Sequence, residues 1–328
     1  MSSILTSSKA YCAPPAAAGG SPAGGQDVHD ASYYGKCMIG GIMACGLTHT
    51  AVVPLDIVKC TMQANPTELP SMKSSYRYLV ANQGHRWISL GWAPTLIGYS
   101  MQGFAKFGFY EVFKDVYGGI AASYMGEERA LKAKPYVWAA ASASAEFIAD
   151  VLLCPMEAVK VRVQTKPPGT FPTSLGPAFN KIKVEEGANG LFKGIGPLWG
   201  RQIPYTVMKF VVFEATVSYI FKNILKKERK DVGKGFNLLM TFVAGYFAGI
   251  VCAIVSHPAD TLFTAYNKQE TKGAFLPEVK RIYSEMPSMG LWKGLGARII
   301  MIGTLTGLQW WIYDSWKTMC GLQATGSK

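Results

Sequence analysis

The chain has 328 residues, 49% of them hydrophobic, and a formal net charge of +12. The excess of bases forms neither a single stripe nor a known nucleic-acid motif, so nucleic acid is excluded as the expected partner in favour of anionic lipid or an anionic solute. Seven cysteines without C-x-x-C spacing suggest neither a zinc site nor a disulfide scaffold, but free thiols in a reducing or intracellular membrane compartment.

Residues 1–32 read as a flexible tail: small, polar and rich in Pro and Gly, with Lys9 the only base and no apolar core of the secretory kind. A mitochondrial presequence would be richer in arginine. Six stretches then have the length of a membrane-crossing helix: Tyr33 to Cys60, Trp92 to Tyr117, Tyr136 to Val163, Gly194 to Leu225, Phe236 to Asn267 and Gly294 to Cys320. Mean hydropathy is only +0.14, and no uninterrupted run of about 20 strongly apolar residues is expected. A soluble helical solenoid shares that property, but so do helices lining a water-filled path. Small residues crowd these stretches, as in Gly40-Gly41, Ala139 to Ala145, and Gly245 with Gly249, and allow close helix approach.

The organisation follows from a repeat. Pro54-Leu55-Asp56-Ile57-Val58-Lys59 recurs as Pro155-Met156-Glu157-Ala158-Val159-Lys160 and, altered, as Pro258-Ala259-Asp260-Thr261-Leu262-Phe263, at intervals of 101 and 103 residues. The spacing divides the chain into repeat one over 33–120, repeat two with its preceding linker over 121–228, and repeat three with the C-terminal tail over 229–328. Each proline should bend a long helix near its C-terminal end, and the acid beside it would be costly against lipid, so these charges face inward. A polar connection, a short amphipathic helix and a glycine-marked start of the second long helix follow: Leu90-Gly91-Trp92, Phe192-Lys193-Gly194 and Trp292-Lys293-Gly294. An aromatic, a base and free amides there suit a lipid phosphate, and equally suit simple aromatic anchoring; the first copy lacks the base.

The second long helices carry a second signature near their ends: Tyr110-Glu111-Val112-Phe113-Lys114, Phe213-Glu214-Ala215-Thr216-Val217 and Tyr313-Asp314-Ser315-Trp316-Lys317. Pairing along one helix would contribute about 0.2–0.5 kcal/mol. Threefold recurrence at one end, opposite the proline-linked charges, points instead to two closing rings.

Two signatures per repeat, over Tyr33 to Cys320, resemble the mitochondrial carrier family. The resemblance implies an all-α membrane protein of three tandem repeats, each with two transmembrane helices and a short matrix helix, forming a six-helix pseudo-threefold bundle. The first signature is similar to that family's matrix gate (Asp56, Lys59, Glu157, Lys160 and Asp260, with Gln63 and Gln164 as bracing glutamines). The second is similar to its cytoplasmic gate (Tyr110, Glu111, Lys114, Phe213, Glu214, Tyr313, Asp314 and Lys317). Phe263 and Val217 replace the usual bases. The words Thr48-His49-Thr50, Ser142-Ala143-Ser144-Ala145-Glu146-Phe147, Ser256-His257-Pro258-Ala259-Asp260, Lys106-Phe107-Gly108-Phe109-Tyr110-Glu111 and Arg298-Ile299-Ile300-Met301-Ile302-Gly303-Thr304 resemble the family's phosphate carriers.

Each ring carries one acid more than it has bases: Asp56, Glu157 and Asp260 against Lys59 and Lys160, and Glu111, Glu214 and Asp314 against Lys114 and Lys317. A buried carboxylate without a partner costs several kcal/mol or takes up a proton, a reason to expect proton coupling. Five residues before the second-signature acids stand Lys106, Lys209 and Gln309, and thirteen before Glu214 stands Arg201. Lys106 and Arg201 are candidate phosphate binders, a point charge and a fork, with Gln102 one turn below Lys106 as a further donor. Lys209 joins them, and the resemblance adds Arg298. For proton coupling the resemblance implies His49, Asp56, Glu146, Glu157 and Asp260. Asp150 reads equally as a further station or a packing partner. Cys60, beside Lys59, is the candidate reactive thiol.

The expected function is therefore transport of inorganic phosphate with a proton, or against hydroxide, by a multi-pass protein of the mitochondrial inner membrane. No catalytic residues, metal site or cofactor are expected; bound cardiolipin and a monomer are. The rivals are a carrier of another solute, such as a dicarboxylate or copper held by Cys45, Cys154 or Cys252, and a non-cycling membrane scaffold.

Overall fold

The computed structural model describes residues 30–64, 71–165, 169–226, 231–267, 275–285, 292 and 295–325. In chain order these form α1 (Ala31–Ala64), α2 (Met72–Gln83) with a 3-10 turn over Gly84–Ser89, α3 (Trp92–Met125), α4 (Glu127–Lys132), α5 (Lys134–Thr165), α6 (Leu175–Phe192), α7 (Ile195–Tyr219) continued by a π turn over Ile220–Leu225, α8 (Lys234–Asn267), α9 (Phe275–Glu285) and α10 (Leu295–Met319). No strand occurs among the described residues.

Pro54, Pro155 and Pro258 each lie inside a long helix, α1, α5 and α8. Each removes an N–H and crowds the carbonyl four residues back, so the last turns diverge from the rest of the helix. Short helices tuck under those turns. Val53, Ile57 and Val58 bury against Leu79 and Trp87, and Val159 and Val163 against Ala178, Ile182 and Leu191.

Six of the ten helices are long, and they close a circle: α1 packs on α3, α3 on α5, α5 on α7, α7 on α8, α8 on α10, and α10 back on α1. Ala31–Val58, Lys134–Gln164 and Lys234–Pro258 are long and apolar enough to cross a membrane. They are less diluted than the sequence reading anticipates. Dilution is concentrated in α3, α7 and α10, which carry Lys106, Arg201, Lys209 and Arg298.

One boundary differs clearly from expectation. α3 continues eight residues past Tyr117, because Gly118 and Gly119 are buried helical residues rather than a stop. The helix ends where Gly126 adopts φ 79°, a conformation that costs glycine little. The chain then turns through α4 into α5, where Ala130 and Val137 bury against Ala121.

Glycines set how closely the ring closes. A Cβ on Gly103 would sit 2.1 Å from the carbonyl oxygen of Gly41, and one on Gly41 would sit 2.1 Å from that of Gly103. Backbone meets backbone there, so no side chain can move aside. Gly103→Ala should force α1 and α3 apart and lower stability by about 1–3 kcal/mol or more. Thermal unfolding of the purified variant in detergent checks this, and an unchanged midpoint would contradict the packing.

Candidate functional site

Along the inside of the bundle the repeat arranges side chains in layers. At the end away from the prolines, Tyr110, Phe213 and Tyr313 form one aromatic layer, and Phe107, Phe210 and Trp310 form another one turn deeper. Trp310 stacks on Phe213 with centroids 3.7 Å apart and planes 3° from parallel. Phe107 lies 4.4 Å from Tyr313, and Tyr110 lies 4.3 Å from Phe210. All six residues are buried. A plug of this kind excludes water from the charges on its outer side.

Those charges are Glu111, Glu214, Asp314, Lys114 and Lys317. Lys114 reaches Glu111 at 2.7 Å and Glu214 at 3.8 Å, while Lys317 reaches Glu111 at 3.7 Å. Tyr110 donates its hydroxyl proton to Glu214 at 3.2 Å. Val217, where a third base would stand, is buried in the aromatic cluster. The third acid of this ring is Asp314. It accepts a hydrogen bond from Thr241 of α8 and another from the backbone N–H of Thr325, both at 2.9 Å. Past α10, Gly321 turns the chain at φ 75°. Leu322 then donates its N–H to the Lys317 carbonyl at 2.9 Å, and Thr325 is buried. The C-terminal segment thus folds back over this ring.

At the proline end, Lys160 bridges Asp56 at 2.8 Å and Glu157 at 3.9 Å, and Arg201 stands 4.0 Å from Glu157. The Lys160 ammonium lies over the Tyr99 ring, 5.1 Å from its centroid. This ring is wetter: the Asp56, Glu157 and Arg201 side chains are 27%, 19% and 40% exposed. Gln164 does not brace an ion pair; its amide donates to the Leu90 carbonyl at 3.3 Å, tying α5 to the start of α3. The side chains of Lys59, Cys60, Gln63 and Asp260 lie outside the described residues.

Between the rings lies the most buried polar cluster. Lys106 contacts Glu146 at 2.9 Å. Gln102 donates to Glu146 at 2.9 Å and to Asp150 at 3.2 Å. Lys209 donates to the Gln309 side-chain oxygen. The Gln309 amide nitrogen lies 3.3 Å from His49 Nδ1, which also lies 2.9 Å from the Cys45 carbonyl. His49 stacks on Tyr99 at 3.8 Å. Gln309 therefore links a lysine of repeat two to a histidine of repeat one.

Of the five expected phosphate contacts, Gln102, Lys106 and Lys209 are brought together and Arg201 and Arg298 are not. Lys106 and Lys209 occupy one level. Arg201 lies eight residues before Lys209 on α7, about 12 Å nearer the proline end. Arg298 donates to Ser256 at 3.1 Å. Lys106 and Arg201 thus contact different carboxylates of α5, Glu146 and Glu157. Phe107, Phe210 and Trp310 escaped the sequence reading. Their signal was available, since they recur at the same intervals of 103 and 100 residues as the acids of the second signature.

Residues 30–120, 132–224 and 234–323 each match the family model for mitochondrial carrier protein. The chain belongs to the mitochondrial carrier family. This carrier is 51% identical over 292 residues to "Phosphate carrier protein, mitochondrial" of Caenorhabditis elegans, covering 88% of this chain and 82% of that one. It is 50% identical over 291 residues to "Solute carrier family 25 member 3" of Bos taurus, covering 89% and 77%. It is 47% identical over 296 residues to "Probable mitochondrial phosphate carrier protein" of Schizosaccharomyces pombe, covering 90% and 93%. For a member of this family the proline ring is expected to be the matrix ring and the aromatic-backed ring the cytoplasmic one.

Proposed function

We propose that this carrier moves inorganic phosphate across the mitochondrial inner membrane together with a proton, by alternating opening of its two rings. The observation that carries the reading is the buried pair Lys106 and Lys209, level with each other and beside two buried carboxyls. A compact oxyanion with several acceptor oxygens suits two ammonium groups in a dry bundle better than a soft metal ion does. Relatives at about half identity carry phosphate in their names.

Coupling follows from competition for one ammonium. In this structure Lys106 neutralises Glu146. Phosphate that takes over Lys106 strips Glu146 of its counter-charge, and the buried carboxylate then binds a proton. Anion and proton enter as a neutral set. No bond in phosphate breaks. Arg201, at the wetter matrix end, receives or releases the anion.

Uptake of labelled phosphate into liposomes containing the purified carrier, with and without a pH gradient, tests the reading. Uptake should rise with an inward proton gradient and resist competition by a dicarboxylate. Glu146→Gln keeps the shape but removes the titratable group, so gradient-driven uptake should fall at least about tenfold while phosphate/phosphate exchange falls far less. A parallel fall of both modes would remove the coupling role.

An anionic lipid such as cardiolipin forms part of the same proposal. Gly194 opens α7 without a side-chain cap, so its first amides face outward and suit a phosphate. Beside that start a cleft of about 550 Å³ is lined by Glu186, Asn189, Gly190, Phe192 and Lys193.

A further inference from the structure

Glu146 and Asp150 stand one turn apart on α5, and neither has exposed surface. The Gln102 amide from α3 spends one N–H on each, at 2.9 and 3.2 Å. Lys106, also from α3, meets Glu146 at 2.9 Å. Among the described residues Lys106 is the ammonium in contact with this pair, Lys209 donating instead to Gln309, and two ionised carboxylates at such range repel each other strongly. The remaining Asp150 oxygen, Oδ2, is buried and finds no donor. Both carboxyls lie within 3.2 Å of the one Gln102 amide nitrogen, which brings Glu146, an acceptor, up beside Asp150. A buried oxygen with no donor and an acceptor beside it is where a proton belongs.

The surroundings reinforce this. Cys154 faces Asp150 from its own helix. Lys209 and Tyr205 of α7 and Cys45 of α1 face Glu146. Lys106 makes its contact with Glu146 and acts on Asp150 only at longer range.

We propose that Asp150 is a resident acid: it keeps one proton through the transport cycle and donates it in a hydrogen bond to Glu146, so that Glu146 alone is ionised against Lys106 and alone exchanges the transported proton. The inference rests on the proton-coupled reading above and assigns a positioning role within it. With Asp150 neutral, Lys106 and Lys209 outweigh Glu146 by one charge and the cluster attracts an anion. With Asp150 ionised that positive excess would vanish.

The test is infrared spectroscopy of the carrier in liposomes, with aspartate carboxyls labelled with carbon-13. A protonated-carboxyl carbonyl band that shifts on labelling, persists from about pH 6 to pH 8 and is lost in Asp150→Asn is the expected result. An amide can replace a protonated acid as donor to Glu146, so the same variant should keep gradient-driven phosphate uptake within about twofold of the parent. Only carboxylate bands from labelled aspartate would overturn the proposal, and the labelled parent gives that answer even if the variant does not fold. Asp150→Asn that exchanges phosphate normally but ignores the gradient would also overturn it, making Asp150 the carrier of the transported proton. A parent that ignores the gradient would instead strike the coupling reading and leave the infrared assignment standing.

Discussion

Lys106→Met should take up no phosphate and should also unfold more readily than the parent. The lysine is 4% exposed, its partner Glu146 has no exposed surface, and they meet at 2.9 Å. Removing the ammonium leaves a buried carboxylate without its counter-charge, a loss of about 3–5 kcal/mol. The carboxylate can reduce that loss by taking a proton, so the destabilisation should shrink as pH falls. Lys106→Met combined with Glu146→Gln removes both charges; it should recover most of the stability and none of the uptake. Thermal unfolding and liposome uptake on the same preparations separate the two effects. Normal uptake by Lys106→Met would remove the central layer from the substrate path.

Arg201→Ala should lose phosphate uptake almost as completely, with stability nearly unchanged. Its side chain is 40% exposed and stands 4.0 Å from Glu157, so the ion pair is screened by water and contributes less than about 1 kcal/mol. Its fork to an arriving phosphate is worth far more: about 3 kcal/mol for a charge-assisted contact, or about a hundredfold in rate. Arg201→Lys should restore little of that, because an ammonium cannot present two parallel donors. Near-normal uptake by folded Arg201→Ala would remove this station.

The contrast between these cations shows where sequence stops being legible. Spacing within the repeat placed both on the inner face of the bundle and located five of the six long helices within about four residues. It could not say that Lys106 sits dry against Glu146 while Arg201 sits wet at the matrix ring. Burial is decided by what closes around a side chain, and here that is the aromatic plug. Phe107, Phe210 and Trp310 look in the sequence like ordinary apolar filling. Gln102 was legible as a donor near Lys106, but its division between two carboxyls of another helix depends on the crossing of α3 and α5. The surplus of acids was countable in each ring. That Asp314 accepts from Thr241 and from a backbone amide eleven residues later, in the folded-back tail, was not legible, since backbone donors leave no mark on composition.

That tail has an experimental consequence. Asp314 belongs to the cytoplasmic ring, and one of its hydrogen bonds comes from Thr325, so the end of the chain and the ring are mechanically joined. When α10 swings outward, either the segment from Leu322 to Thr325 rides with it or that bond breaks. A fluorophore or spin label attached at the end of this segment therefore reports the cytoplasmic opening directly, without a probe inside the transport path. An affinity tag or fluorescent protein fused there is, for the same reason, a load on the door, and transport rates measured with such fusions belong to the loaded carrier.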